Sequence, residues 1–475
     1  MWTAFLLLAV QQAVGLPIDR KSPIPEQIHL ALGDQAGEWR VHWVTMQPVA
    51  EGGAEVQFGT QRNALNRRAP ARTVVFECDG VTRFMHTAEM RDLPPSTPHY
   101  YRVGSPSAFS DVFEFRTFPP GSDFPLRVCV FGDLGVDNGV SLVHLQRAAE
   151  RGEFDLVIHV GDLAYDLHKE NGTIGDIFMN SIQPIATREY KNFTHYRHRF
   201  PSPPNDAFGD SQSYSFNLGP VHFVGISTEY YGFFYEYGKH TVKRQDEWLR
   251  AGLEVNLCKR KVNAFLFQRA NFNRNERPFI IAYMHRPFYC SNTNSFECDS
   301  FENTLVRTGF EDMPGLEEHF VRYGVDIGFQ GHEHSYERFY PIAERRIYNL
   351  SSDPYHNPPA PTHTPHAGFN EETPTPGSAS RSTDYGYTLM HVLNRTTIYV
   401  EQISIEQNLK PIDSFWLIKD APHPAAPSKR SIQHPFVPFP PMVESQECRL
   451  EDPRCRVKRD RGLSQIDLSN DSSGE

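Results

Sequence analysis

Leu126-Arg127-Val128-Cys129-Val130-Phe131-Gly132-Asp133-Leu134-Gly135 is an apolar run that stops on a glycine and a carboxylate. Three further stretches repeat the design. Phe154 to Val160 runs into Gly161-Asp162-Leu163-Ala164-Tyr165, Phe279 to Met284 into His285-Arg286-Pro287, and Val325 to Phe329 leads to Gly331-His332-Glu333-His334. Short apolar runs bounded by turn residues read as strands buried on both faces. Helix-compatible stretches such as Val140 to Arg151 and Arg244 to Leu253 separate some of them. Residues 126–419 are therefore expected to form an α/β domain. Ligands collect beyond the carboxyl ends of strands in such sheets, and the four polar clusters are expected to converge at the end of one sheet.

Each cluster is weak alone, because an Asp after a strand is more often a turn or helix cap than a ligand. The pair His332-x-His334 is more specific, since two imidazoles one residue apart can face neighbouring metals. The joint occurrence at four strand ends is what points to chemistry. Asp133, Asp162 and Tyr165 offer hard anionic oxygens suited to a trivalent ion, whereas His285, His332 and His334 offer imidazoles suited to a divalent zinc, iron or manganese. With two carboxylates for two ions, one Asp must bridge.

Upstream, residues 25–118 alternate in short segments: Arg40 to Val44, Ala54 to Phe58, Val112 to Phe115. Period-2 alternation over about ninety residues with turn signals between predicts an all-β sandwich with Trp43 as its inter-sheet plug. Leu93 with Tyr100 and Tyr101 resembles the tyrosine-corner region of fibronectin type III modules. Phe118-Pro119-Pro120-Gly121-Ser122 is a linker by composition. The fold class expected is thus a fibronectin III-like sandwich followed by an α/β domain.

At the N-terminus, residues 1–15 combine an apolar run with Ala13-Val14-Gly15 and read as a cleaved secretory signal, too short to span a bilayer. Sequons begin at Asn171, Asn192, Asn349, Asn394 and Asn470, as suits a glycosylated chain on the secretory route. Cys290 and Cys298 are close enough to close a small loop as a disulfide. A net charge of −11 argues against a nucleic-acid partner. Asp353 to Ser380 carries seven prolines and residues 420–475 carry eight, so loop or disorder is expected in both, with 420–475 as a dispensable tail.

The series GDLG, GDLAY, an apolar strand ending in His285, and GHEHSYER resembles the purple acid phosphatases, especially the long animal form with a fibronectin-like N-terminal domain. The resemblance runs from about Pro25 to Asp420. It implies an α/β metallophosphoesterase domain in which Asp133, Tyr165 and His334 hold iron(III), Asp162 bridges, and His285 with His332 holds the divalent ion. Many other metallophosphoesterases place a His two residues after the first Asp, where this chain has Gly135, and Tyr165 supplies a phenolate instead. One family motif, Gly-Asn-His-Glu or Gly-Asn-His-Asp, is not found. Ile182 to Thr187 runs almost directly into Asn192 to Arg197, so the motif's metal-ligating Asn and phosphate-facing His have no counterpart, and the general acid is unassigned. Val255 to Gln268 reads as an insertion.

The function expected is that of a secreted, extracellular or lysosomal acid phosphatase that uses a metal-held hydroxide on a small phosphate monoester or a phosphoprotein. Two alternatives stay open: an inactive secreted binding protein with a partial metal site, motivated by the missing motif, and a phosphodiesterase. The oligomeric state is not legible.

Overall fold

The computed structural model describes residues 22–50, 53–165, 167–186, 199, 206–253, 274–291, 301–348, 353–358, 360–364, 377–420 and 437–438. Eight antiparallel strands form the N-terminal unit: β1 (Glu26–Leu32), β2 (Trp39–Thr45), β3 (Glu55–Gly59), β4 (Arg67–Cys78), β5 (Val81–Met90), β6 (Pro98–Ser105), β7 (Ala108–Phe109) and β8 (Phe113–Arg116). Their order is β1-β2-β5-β4-β3-β6-β7, with β8 also on β6. Alternate residues point inward, and Ile28, Leu30, Val41, Trp43, Val56, Phe58, Tyr101 and Phe115 close one core. Trp43 is buried at its centre and stacks on His86. Tyr101 is buried too, but its hydroxyl has no partner among the described residues, so the hydrogen bond that defines a tyrosine corner is not made.

The α/β unit begins with β9 (Leu126–Phe131), β10 (Leu134–Gly135), α1 (Leu142–Glu150), β11 (Leu156–His159), β12 (Leu163–Ala164) and α2 (Lys169–Ala186). It continues through β13 (Tyr214–Leu218), β14 (Val221–Gly225), the single turns α3 (Glu229–Gly232) and α4 (Phe234–Tyr237), α5 (Lys239–Leu253) and β15 (Phe279–Met284). Next come α6 (Phe301–Thr308), the hairpin β16 (Gly309–Phe310) and β17 (Met313–Pro314), α7 (Glu317–Tyr323), and β18 (Ile327–Gln330). The chain closes with β19 (Tyr336–Phe339), β20 (Ile342–Ala343), β21 (Arg346–Ile347), β22 (Thr362–Thr364), β23 (Ser378–Ser382), β24 (Gly386–Val392), β25 (Thr397–Ser404), β26 (Lys410–Ile418) and β27 (Val437–Pro438).

One sheet was expected to carry all four clusters; two do. β9 and β11 lie in a sheet ordered β11-β9-β24-β25-β26, while β15 and β18 lie in another ordered β13-β14-β15-β18-β22. Their inner faces share a core that includes Val128, Val130, Ile158, Phe223, Ile281, Phe329 and Met390. The outer face of the first packs on α1 and α2 through Cys129, Phe131, Leu145 and Ile182. That of the second packs on its own helices through Val224, Ile280, Trp248 and Phe320. Strands buried on both sides explain the continuous apolar runs, but such runs do not say which sheet a strand joins.

Two proline-rich regions need correction. Thr362-His363-Thr364 is a fully buried strand that pairs in parallel with β18, and Ser378–Ser382 pairs with β19. Prolines punctuate these strands without preventing them, because Pro361 only precedes the ladder. In the tail, Val437–Pro438 pairs with Arg346–Ile347. The rest of 421–475 lies outside the described residues, as do the signal segment, most of 187–205, the 255–268 insertion, and Asn192, Asn349, Asn470 and Cys298. Asn171 and Asn394 are exposed. Cys290 is disulfide-bonded, with a partner outside the described residues. No helix among the described residues is long and apolar enough to cross a membrane.

Several histidines are buried neutral. Burial pushes His29 and His86 down to about 4, and His222 and His363 down to about 3. The unfolded chain takes up these protons below the ordinary value of 6.5 and the native one does not, so the stability they protect is complete above that pH. It drains away as pH falls toward 4 and then 3. Each histidine accounts for on the order of 3 to 5 kcal/mol of that loss once the pH is below its native value. Urea midpoints measured from pH 7 to pH 4 should fall steadily, and replacing His363 by Phe should flatten the slope. An unchanged slope would rule out His363 as a contributor.

Candidate metal centre

The loops after β9, β11, β15 and β18 meet above the facing ends of the two sheets. Parallel pairing of β9 with β11 and of β15 with β18 sets each pair in register, and the clusters leave the ladders side by side. Tight backbone then folds them inward. Asp133, Asp162, Tyr165 and His332 all take positive φ (57°, 47°, 45° and 75°). Non-glycine residues rarely accept that region, and such strain accumulates at functional sites. Cross-loop hydrogen bonds hold the arrangement: Asp133 N donates to Gly161 O at 3.0 Å, Gly331 N to His285 O at 2.8 Å, and His332 N to Asp133 Oδ1 at 3.0 Å.

All six residues singled out in the sequence come together. Asp162, His285 and His332 form one group and Asp133, Asp162 and His334 a second, each with ligand atoms within 4.8 Å of one another. Asp162 belongs to both. His285 Nε2 lies 3.3 Å from Asp162 Oδ1 and 3.2 Å from His332 Nδ1. His334 Nε2 lies 3.4 Å from Asp133 Oδ1 and 2.5 Å from the Tyr165 hydroxyl, which is itself 3.4 Å from Asp133 Oδ1. The second group therefore gathers a carboxylate, a phenol and an imidazole around the shared Asp162.

Charge explains why such a cluster invites cations. Burial alone would lower His285, yet the Asp162 carboxylate beside it pushes it up to about 10. Burial, then His285 and Arg286, push His332 down to about 2. Burial alone would raise Asp162, but His285, His332 and Arg286 hold its carboxyl well below the usual carboxylate range. One imidazole thus carries a proton where its lone pair faces acid oxygens, and a cation entering there displaces that proton. His285 Nδ1 meets Val160 O at 3.2 Å, which leaves Nε2 for a metal. The donor set fits two ions that share one carboxylate.

Sequence reasoning gave no role to Arg286, although it sits in the quoted cluster, and it missed Glu229, which holds Arg286 from 57 residues away. Nothing local marks Glu229. Gly161 was quoted without a reason for being glycine: its φ is +118°, and a Cβ there would lie 2.2 Å from His285 Nδ1. Gly161→Ala should displace the His285 ring and lower metal content measured by elemental analysis. Wild-type metal content in that variant would show that the loop yields.

Fold and ligand set together define a dinuclear metallophosphoesterase. Residues 25–117 match the purple acid phosphatase N-terminal domain, residues 126–336 the calcineurin-like phosphoesterase domain, and residues 363–414 the iron/zinc purple acid phosphatase-like C-terminal domain. The chain is 38% identical to the acid phosphatase type 7 of Homo sapiens over 450 residues, covering 88% of this chain and 96% of that relative. It is also 38% identical to the same-named protein of Danio rerio, covering 85% and 93%. In fold it is similar to a purple acid phosphatase from yellow lupin seeds, with a TM-score of 0.66, 22% identity, and 84% of this chain against 75% of that one covered. The chain belongs to the purple acid phosphatases, an enzyme family whose centre takes iron with a divalent metal such as zinc.

Proposed function

We propose that this centre hydrolyses phosphate monoesters, small or protein-borne, along the secretory route or outside the cell. The observation that carries the reading is Asp162, shared by two ligand groups whose remaining donors differ in hardness. When bound, the two ions supply Lewis acidity toward the phosphoryl oxygens and activate water. The chain's own residues set the geometry. Val160 O orients His285, the Asp133 carboxylate is pinned by His332 N, and the Tyr165 hydroxyl lies between Asp133 and His334. The sequons at exposed Asn171 and Asn394 support glycosylation and the secreted location.

Purified protein should contain two metals per chain and turn over p-nitrophenyl phosphate faster than its bis-ester at acid pH. Faster bis-ester cleavage would make it a phosphodiesterase. The missing Asn-His motif favours a second reading, a binding protein with an incomplete site; one metal or none without turnover would establish that instead. A glycosidase-sensitive band in the culture medium tests secretion.

A further inference from the structure

Along β24, β25 and β26, Val392, Ile398, Val400, Phe415 and Leu417 turn into the core between the two sheets. Side chains alternate across a strand, so His391, Tyr399 and Trp416 turn outward. His391 pairs with Tyr399 and Tyr399 with Trp416, which sets three rings in one row with centroids 5.8 and 4.7 Å apart. Glu401 holds the first two: the Tyr399 hydroxyl donates to Oε2 at 3.3 Å, and His391 Nε2 lies 3.2 Å from Oε1. Further along the same face, α1 and α2 cover the sheet through Tyr387, Leu389 and Ile403. At the row itself Trp416 is 49% exposed and Leu393 44%. Large apolar side chains gathered on one solvent-facing patch mark a place that something covers.

The row ends at a turn that carries a sequon. Leu393 N donates to Thr397 O at 3.0 Å, and Asn394-Arg395-Thr396 is the loop so closed. Asn394 is exposed, and its Oδ1 accepts from Thr396 N at 2.8 Å and from Thr396 Oγ1 at 2.9 Å. The oxygen is engaged, and Nδ2, the atom that takes a glycan, is left to solvent. Tyr399 lies two residues beyond Thr397, about 7 Å along a strand that rises about 3.4 Å per residue. Two linked sugar rings are longer than that gap.

The face of N-acetylglucosamine that bears its axial C–H bonds is apolar, and those slightly positive hydrogens suit the electron-rich face of an aromatic ring. A tethered sugar meets the rings at an effective concentration of about millimolar, so even a weak stacking contact is well populated. We propose that the innermost sugars of an N-glycan on Asn394 stack on Tyr399 and Trp416 and cover this outer face of the sheet. The proposal rests on the secretory reading above. Attachment joins Asn394 Nδ2 to the anomeric carbon of the first sugar, with loss of one Nδ2 proton and of the diphosphate leaving group of an activated glycosyl donor.

The test uses the full chain secreted from cultured cells, before and after enzymatic removal of its N-glycans. Peptide mass spectrometry reads the occupancy of Asn394 and the rate at which hydroxyl radicals oxidise Trp416. Removal should raise that rate roughly twofold, since the sugar covers one face of a half-exposed ring. It should also lower the melting temperature by about 1 to 2 °C. Asn394→Asp, which keeps the oxygen that accepts from Thr396, should reproduce both changes, and Asn171→Asp should leave the Trp416 rate alone. Trp416→Thr should abolish the melting shift; if that variant is not secreted, the oxidation rates decide. A Trp416 rate that is the same with and without a glycan on Asn394 would overturn the proposal and leave the secretory reading standing, as would a secreted chain with Asn394 unmodified. Protection of Trp416 that follows protein concentration instead of the glycan would assign the row to a second copy of the chain and overturn the proposal. A chain that stays inside the cell without glycans refutes both readings.

Discussion

Tyr165→Phe should give a colourless protein with little iron. The substitution keeps the ring and removes one oxygen, the one placed 2.5 Å from His334 Nε2 and 3.4 Å from Asp133 Oδ1. As a ligand, that oxygen would be the hard anionic donor whose charge transfer to iron(III) would give a visible band. Its loss should lower iron affinity by on the order of 100-fold, the upper range of what even outer-sphere partners cost. If Tyr165 only hydrogen-bonds its neighbours, the change costs about 1 kcal/mol and leaves iron alone. Visible spectra with iron analysis separate the two, and a mutant with the wild-type band and iron content would remove Tyr165 from the ligand set.

Asp176→Ala should destabilise the protein by about 3 to 5 kcal/mol, because it leaves two guanidinium groups buried without their counter-ion. Arg83 of the sandwich donates to Asp176 through Nε at 2.8 Å and Nη2 at 2.6 Å, and Arg199 reaches the same carboxylate at 2.8 Å. Both arginine side chains are fully buried. Gly172 and Gly175 open room for them, since a Cβ at either would approach a guanidinium nitrogen at 2.9 Å. Two further donors are directed: Arg199 Nη1 to Gln27 Oε1 at 2.6 Å and Arg83 Nη2 to Asn171 O at 2.8 Å. This junction ties the sandwich to α2, so the effect should appear as a lower urea midpoint for the whole chain. A loss under about 1 kcal/mol would show that water satisfies the arginines.

How far the sequence could be read depended on whether the signal was local. Asp133, Asp162, His285 and the two histidines of the last cluster each end an apolar run, and strand ends are recognisable one at a time. The pairing of those strands into two facing sheets is a long-range property, and a run buried on both faces looks the same in either sheet. The β4–β5 hairpin had a local signal that went unused: Asp79-Gly80 has positive φ at both positions (47° and 79°), as a type I′ turn between alternating strands requires. Glu229 and Asp176 had none. Each matters through a partner brought to it by the fold, and an isolated carboxylate on a helix reads as solvated surface.

The contact between β1 and α2 bears on how the protein avoids its own copies. β1 is the terminal strand of its sheet, and a bare row of N–H groups at such a margin would template pairing with another chain. Here Asn180 Oδ1 takes the Gln27 amide at 3.0 Å and Gln183 Oε1 takes that of Ile28 at 2.8 Å. Two side-chain carboxamides from the following domain occupy the places a foreign strand would fill. The sandwich is thus shielded from self-association only while the phosphoesterase domain is attached. Residues 25–118 made alone would carry an open, adhesive margin.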